Sequence, residues 1–234
     1  GIRYYKVTGV QTCALPISLL KLPGRPVMVK RAYSPREILK MTYKPIPWGG
    51  EWERCFGQPD MYDTWFISGP SAGGKSSFVM QLTKKLCEYG IVLYCSFEEK
   101  VSMSFKERIQ RFHMEEEQGK FRVCIDSDLE NLKRMLKQRK GPKFIIVDSF
   151  QYSHWEYAQV EALVEEFPKK SFIFISQEAK SQPLGKPAVR LKYMAGVKVR
   201  VVGYEAVCQG RFIGEAGATF KVWEDGLIQA SNNL

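Results

Sequence analysis

Apolar positions run along this chain in two rhythms. From Asp63 to Ser176, short unbroken apolar runs alternate with stretches in which apolar residues recur every three or four positions. The first kind suits a strand covered on both faces and the second an amphipathic helix. Asp63–Ser68 accordingly predicts a strand, and Ser76–Tyr89 a helix with Val79, Leu82 and Leu86 on one face and Gly90 as its stop. Ile91–Ser96 predicts a second strand. Helices follow over Ser104–Phe112, with Phe105, Ile109 and Phe112 on one side, and over Asp128–Arg139, with Leu129, Leu132 and Leu136. Phe144–Asp148 and Ser171–Ser176 read as fully buried strands, separated by a helix around Tyr157–Phe167. This alternation predicts an α/β domain with a mainly parallel central sheet flanked by helices. After Lys180 the rhythm shortens: Val197–Val202, Tyr204–Cys208 and Thr219–Trp223, joined by glycine turns, predict antiparallel strands extending the sheet.

Ahead of this pattern, residues 21–60 are rich in proline and aromatic residues and predict an N-terminal arm, with one short helix started by Ser34-Pro35 and running through Ile38 and Leu39. The domain proper is expected over 61–234. Residues 1–20 fit neither rhythm. Val7–Ile17 resembles the in-frame translation of a sequencing-library adapter, so this stretch is expected to be a non-native or disordered leader, with the true N-terminus missing.

Composition narrows the classes. The 234 residues are 44% hydrophobic and 26% charged, which excludes a disordered or fibrous chain. No apolar run approaches the roughly 18 residues of a membrane span. Lys and Arg number 35 against 25 Asp and Glu, a net charge of +10 that favours polyanionic partners, nucleic acid first. Six cysteines without a C-x-x-C pair and only two histidines make a zinc site an unexpected feature. Cys87 and Cys95, set among apolar neighbours, predict buried thiols in a reducing cytoplasm.

The most specific signal is Gly69-Pro-Ser-Ala-Gly-Gly-Lys-Ser76, which matches G-x-x-x-x-G-K-[ST] between a predicted strand and a predicted helix. That context separates it from a glycine-rich turn that binds nothing. Gly69, Gly73 and Gly74 let successive N–H groups curl around a phosphate, with Pro70, Ser71 and Ala72 completing the loop and Ser77 following it. The helix N-terminus adds partial positive charge, Lys75 reaches the outer phosphates and Ser76 supplies a hydroxyl for Mg²⁺. Asp148, closing an apolar strand, is placed to hold the same Mg²⁺ at the carboxyl edge of a parallel sheet. Glu98 and Glu99 follow a strand at that edge, where either could polarise an attacking water, although acids near a helix start also gain from its dipole. Gln177 ends another strand and is placed to sense a terminal phosphate.

Taken in this order, Leu93-Tyr-Cys-Ser-Phe-Glu-Glu99, Phe144-Ile-Ile-Val-Asp-Ser149 and Ile175-Ser-Gln177 resemble the RecA-like class of P-loop ATPases, in particular the ATPase core of bacterial RadA, KaiC and DnaB-type helicases. Gly210-Arg-Phe-Ile-Gly214 is similar to a late segment of RadA. Within this sequence, neither the four zinc-binding cysteines nor the protease-like domain expected of a RadA is recognisable, and Ala195-Gly196 stands where that class usually has an aspartate. The resemblance implies ATP and Mg²⁺ as cofactors, hydrolysis activated by Glu98 or Glu99, and a homo-oligomer acting on single-stranded DNA in recombination, repair or replication. It also implies a trans-acting cation, for which Lys198, Arg200 and Arg211 are candidates.

Between Lys180 and Arg211 there are seven cations against one acid, Glu205. The resemblance implies that the loop after the strand ending at Gln177 contacts single-stranded DNA; that loop is Glu178–Lys192, which carries Lys180, Lys186, Arg190 and Lys192 for DNA phosphates and proline and glycine for flexibility. The aromatics of Ser149–Trp155 fit packing better than base stacking, and Lys133–Lys143 reads as the solvated face of a helix. Two other classes use the same phosphate loop. A small-molecule kinase would need an arginine-rich lid, for which the basic segment after Lys180 is the sole candidate. A non-hydrolysing switch would lack a competent glutamate, against which Glu98 and Glu99 argue.

Overall fold

The computed structural model describes residues 32–211 and 214–223. The chain divides into two units, Gly1–Thr42 and Tyr43–Leu234. In the first, α1 (Pro35–Leu39) begins at the expected place: the Ser34 side chain accepts from the Glu37 N–H, and Glu37 reaches back to the Ser34 N–H, a reciprocal cap.

The second unit starts earlier than the change of pattern at Asp63 suggests. Lys44 N–H donates to Asp60, Ile46 N–H donates to the Pro59 carbonyl, and Ile46, Trp48 and Phe56 are buried in the core. A helix absent from the sequence reading, α2 (Gly50–Phe56), carries Trp52 and Phe56 into this aromatic cluster, where the Trp52 and Phe220 rings meet at a tilt of 41° with centroids 4.6 Å apart. The remaining elements follow in chain order: β1 (Trp65–Gly69), α3 (Lys75–Cys87), β2 (Val92–Ser96), α4 (Met103–Arg111), β3 (Phe121–Cys124), α5 (Leu129–Lys137), β4 (Phe144–Asp148), α6 (Tyr157–Glu166), β5 (Ser171–Ala179), β6 (Gln182–Pro183), α7 (Lys186–Met194), β7 (Val197–Val202), β8 (Glu205–Cys208) and β9 (Thr219–Lys221).

The strands lie in the order β3-β2-β4-β5-β1-β7-β8-β9, with β6 turned back on β5. From β3 to β7 neighbouring strands are parallel; β7, β8 and β9 are antiparallel. The unbroken apolar runs have a simple cause. Alternate side chains of β1 enter different cores: Trp65 and Ile67 belong to the one that holds Phe78 and Leu82 of α3, whereas Phe66 belongs to the one that holds Leu163 of α6 and Leu191 of α7. Strand β3 was not legible as a strand because it forms the edge, with Arg122 and Val123 exposed.

The segment expected as a flexible loop over Glu178–Lys192 is ordered. Strand β5 runs on to Ala179, Lys180 and Ser181 turn the chain in left-handed conformation, β6 pairs back, and α7 begins at Lys186. Pro187 sits in the first turn of α7, where its missing N–H costs nothing. Among the described residues, no helix is long and apolar enough to cross a membrane.

Candidate functional site

The phosphate loop joins β1 to α3, and two of its glycines are required by close backbone approach. A Cβ at Gly69 would run into the Val201 carbonyl oxygen of β7. Gly74 has φ of +91° and a Cβ there would come within 2.9 Å of the Tyr204 ring. Tyr204 N–H also donates to the Gly73 carbonyl at 3.2 Å, so the β7–β8 turn braces the loop. Lys75 folds over it, its ammonium donating to the Gly69 and Pro70 carbonyls at 2.8 and 2.7 Å. Burial pulls the Lys75 pKa down, opposed by Asp148, Glu98 and Glu178.

Parallel pairing brings the other candidates to the same edge. Gly69 lies beside Gln177, and Ser96 beside Asp148. The Asp148 carbonyl accepts from the N–H groups of Phe97 and Glu98, at 2.7 and 3.3 Å, which ties the glutamate segment to the end of β4. Burial raises the Asp148 carboxyl to about 6, against the Tyr94 hydroxyl, which donates to it and favours the charged form. Next to it, the buried Ser149 hydroxyl has no hydrogen-bond partner among the described residues.

The two glutamates differ in their contacts. Glu98 is exposed and accepts from the Gln177 side-chain amide at 2.9 Å. Both oxygens of Glu99 are taken by the Arg108 guanidinium at 2.9 Å each. Lys75, Ser76, Glu98, Asp148, Gln177 and Tyr204 line one cavity of about 470 Å³, which Ser71, Ala72, Gly74 and Ser77 also border. A second cleft of about 450 Å³ adjoins it, walled by Phe112, Val222 and Trp223 and sharing Ser77, Arg111 and Trp223 with the first.

Several residues of this site carry no motif signal. Glu178, its side chain 2% exposed, accepts from Ser68 and pairs with Arg200 at 3.0 Å. Burial alone would raise its pKa, but Arg200 and Ser68 together hold it low. Gln151 links the turn after β4 to the β5–β6 hairpin: its amide donates to Ser176 Oγ at 2.8 Å and the Leu184 carbonyl at 2.9 Å, and its oxygen accepts from Gln177 N–H at 3.3 Å. Tyr94, Arg108 and Trp223 stand in or near segments with a family likeness but receive no role from the sequence; their partners Asp148, Glu99 and Tyr204 are seen only in the fold.

The remaining cations lie apart from the cavity. Lys180, Lys186 and Arg190 are exposed and Lys192 is half-buried, along the hairpin and α7, with Arg190 over the Tyr157 ring at 5.6 Å. Lys198 is half-buried on β7, and Arg211 is exposed after β8. The Phe150–Trp155 aromatics divide: Phe150 and Trp155 are buried, whereas Tyr152 is 45% exposed. Phe212 and Ile213 of the RadA-similar segment lie outside the described residues.

No protein-family model and no curated protein matches the chain. Its fold is similar to that of a KaiC-like protein from the hyperthermophilic archaeon Pyrococcus horikoshii OT3, with TM-score 0.54 and 16% identity over 77% of this chain and 93% of the other. The flagellar accessory protein FlaH from Methanocaldococcus jannaschii is similar to the same degree, with TM-score 0.54 and 15% identity over 76% of this chain and 93% of the other. With a strand-to-helix phosphate loop at the edge of a mainly parallel sheet and antiparallel strands at its C-terminal end, the chain has the fold of the RecA-like P-loop ATPases.

Proposed function

We propose that this chain is a Mg²⁺-dependent ATPase that works as a homo-oligomer on single-stranded DNA. One observation carries the ATPase reading: Lys75, Asp148 and Glu98 border a single cavity, and Glu98 is oriented by Gln177. The residues present fit the metal. Ser76 and Asp148 supply a hydroxyl and a carboxylate of the kind Mg²⁺ takes, and the unpartnered Ser149 hydroxyl beside them is a polar group in need of a ligand or water. Bound there, Mg²⁺ would neutralise charge on the outer phosphates.

The chain's own groups do the rest. The loop N–H groups and the start of α3 bind phosphate, Lys75 leaves its two carbonyls to reach the terminal oxygens, and Glu98 orients and deprotonates the attacking water. Gln177 positions Glu98 and senses the terminal phosphate. Glu99 is a positioning residue, holding Arg108 at the cavity wall. The apolar cleft of Phe112, Val222 and Trp223 suits the nucleobase.

Lys180, Lys186, Arg190 and Lys192 form the DNA-facing set, and their fixed spacing on a hairpin and helix favours backbone contact over lid closure, which speaks against a kinase. Arg200 is engaged by Glu178 of its own chain, so Arg211 is the better trans-acting cation, with Lys198 second. The natural compartment for this activity is the cytoplasm.

The test is ATP hydrolysis by the chain with and without single-stranded DNA across a salt series. Turnover should need Mg²⁺, vanish in Lys75→Ala, and rise with DNA in a manner that fades with salt. Hydrolysis surviving Lys75→Ala would refute the site. A DNA-independent rate would refute only the DNA reading.

A further inference from the structure

Strand β3 forms the open edge of the sheet and pairs in parallel with β2, with Cys95 and Cys124 directly opposite. In-register residues on neighbouring parallel strands point to one face, and both cysteines join the core between the sheet, α5 and α6. Strands lie about 4.8 Å apart, inside the Cα span of roughly 4.4–6.8 Å that a disulfide bridges. Cys95 is fully buried, whereas Cys124, the last residue of β3, is half-buried and reachable from the sheet edge.

We propose that Cys95 and Cys124 are a thiol-modification site, which a hydroperoxide converts into a cross-strand disulfide. The Cys124 sulfur attacks the peroxide, the O–O bond breaks, Cys124 becomes a sulfenic acid and the peroxide leaves as alcohol or water after taking up a proton. The Cys95 thiol then attacks the sulfenic sulfur, forming the S–S bond and releasing water. Two thiols are oxidised by two electrons in all, and one peroxide is reduced.

The surroundings support this order of events. The Cys95 thiol, donating to the Cys124 sulfur, holds the Cys124 thiol down to about 6 against the opposing effect of burial. The same contact, with burial second, keeps Cys95 protonated. When protonated, Cys124 donates to the Asp126 carbonyl at 3.4 Å. Burial instead holds Cys87 and Cys208 up to about 12, and raises Cys55, leaving those thiols unreactive. The inference does not depend on the ATPase reading.

The full chain, folded and fully reduced, would be treated with stoichiometric hydrogen peroxide, unfolded, alkylated and digested without reductant. Mass spectrometry should find the Cys95 and Cys124 peptides joined, lighter by two hydrogens than their sum, and separated by dithiothreitol. Cys124→Ser should abolish the link, and Cys95→Ser should leave a sulfenic acid at Cys124 that dimedone captures. Recovery of both residues alkylated, or of Cys124 over-oxidised beside a reduced Cys95, would overturn the proposal. So would the absence of dimedone capture in Cys95→Ser, provided its circular dichroism matches the wild type.

Discussion

Glu98 and Glu99 are neighbours in sequence but are held by different groups. Glu98 meets a neutral amide, whereas the Glu99 carboxylate is closed by a two-point contact with Arg108. Glu98→Gln should therefore lower kcat by about 10²–10⁴ with little change in ATP affinity. Glu99→Gln should act through Arg108 and affect nucleotide affinity more than turnover; equal losses in both variants would remove the distinction. Asp148 supplies a pH signature. Its carboxyl is raised from 3.8 to about 6, so the folded chain retains a proton that the unfolded chain has lost between those values. This group's contribution to stability is full below about 3.8 and disappears as pH rises through about 6. At the proposed metal site Mg²⁺ would need the charged form, so stabilisation by Mg²⁺ and ATP should grow over the window in which the free chain weakens. Thermal melts at stepped pH would show the two opposite slopes, and Asp148→Asn should flatten both; unchanged slopes in that variant would place the effect elsewhere.

At the scale of elements, the late antiparallel strands complete the site. Val201 on β7 walls the loop at Gly69, Tyr204 braces Gly74, and Trp223 beyond β9 meets Tyr204 edge-on with centroids 5.3 Å apart. A loop motif read alone gives these strands no task; in the fold they form one flank of the cavity. If the apolar cleft takes the base, Trp223→Ala should weaken ATP binding by about tenfold while leaving pyrophosphate binding unchanged, since an aromatic contact contributes roughly 1–3 kcal/mol. Isothermal titration with both ligands would decide, and parallel losses would assign Trp223 to the phosphate side. The correction over Glu178–Lys192 belongs to this scale too. Proline and glycine suggested flexibility, yet Gly185 and Pro187 are the punctuation that starts α7, and Glu178 is anchored by Arg200.

For the whole molecule, the question is whether one chain holds a complete site. Arg200 is engaged by Glu178 of its own chain, and Arg211, exposed beyond β8, is the cation proposed to serve a neighbour. Lys75→Ala and Arg211→Ala chains should each be inactive alone. Mixed in equal amounts, they should recover roughly a quarter of wild-type turnover, the share of contacts pairing an intact loop with an intact arginine. No recovery, together with a monomeric mass in solution, would confine the site to one chain. By itself, the sequence determined the parts set by local rules: buried strands as unbroken apolar runs, helices by their period, and a phosphate loop whose glycines, lysine and serine stand at fixed spacing. The tertiary structure decided that Glu98 meets Gln177 while Glu99 meets Arg108, that Arg200 is already paired, that β3 forms an edge, and that Cys95 lies opposite Cys124. Those depend on which strands become neighbours, and strand order arises from packing between residues far apart in the chain, which no local pattern records.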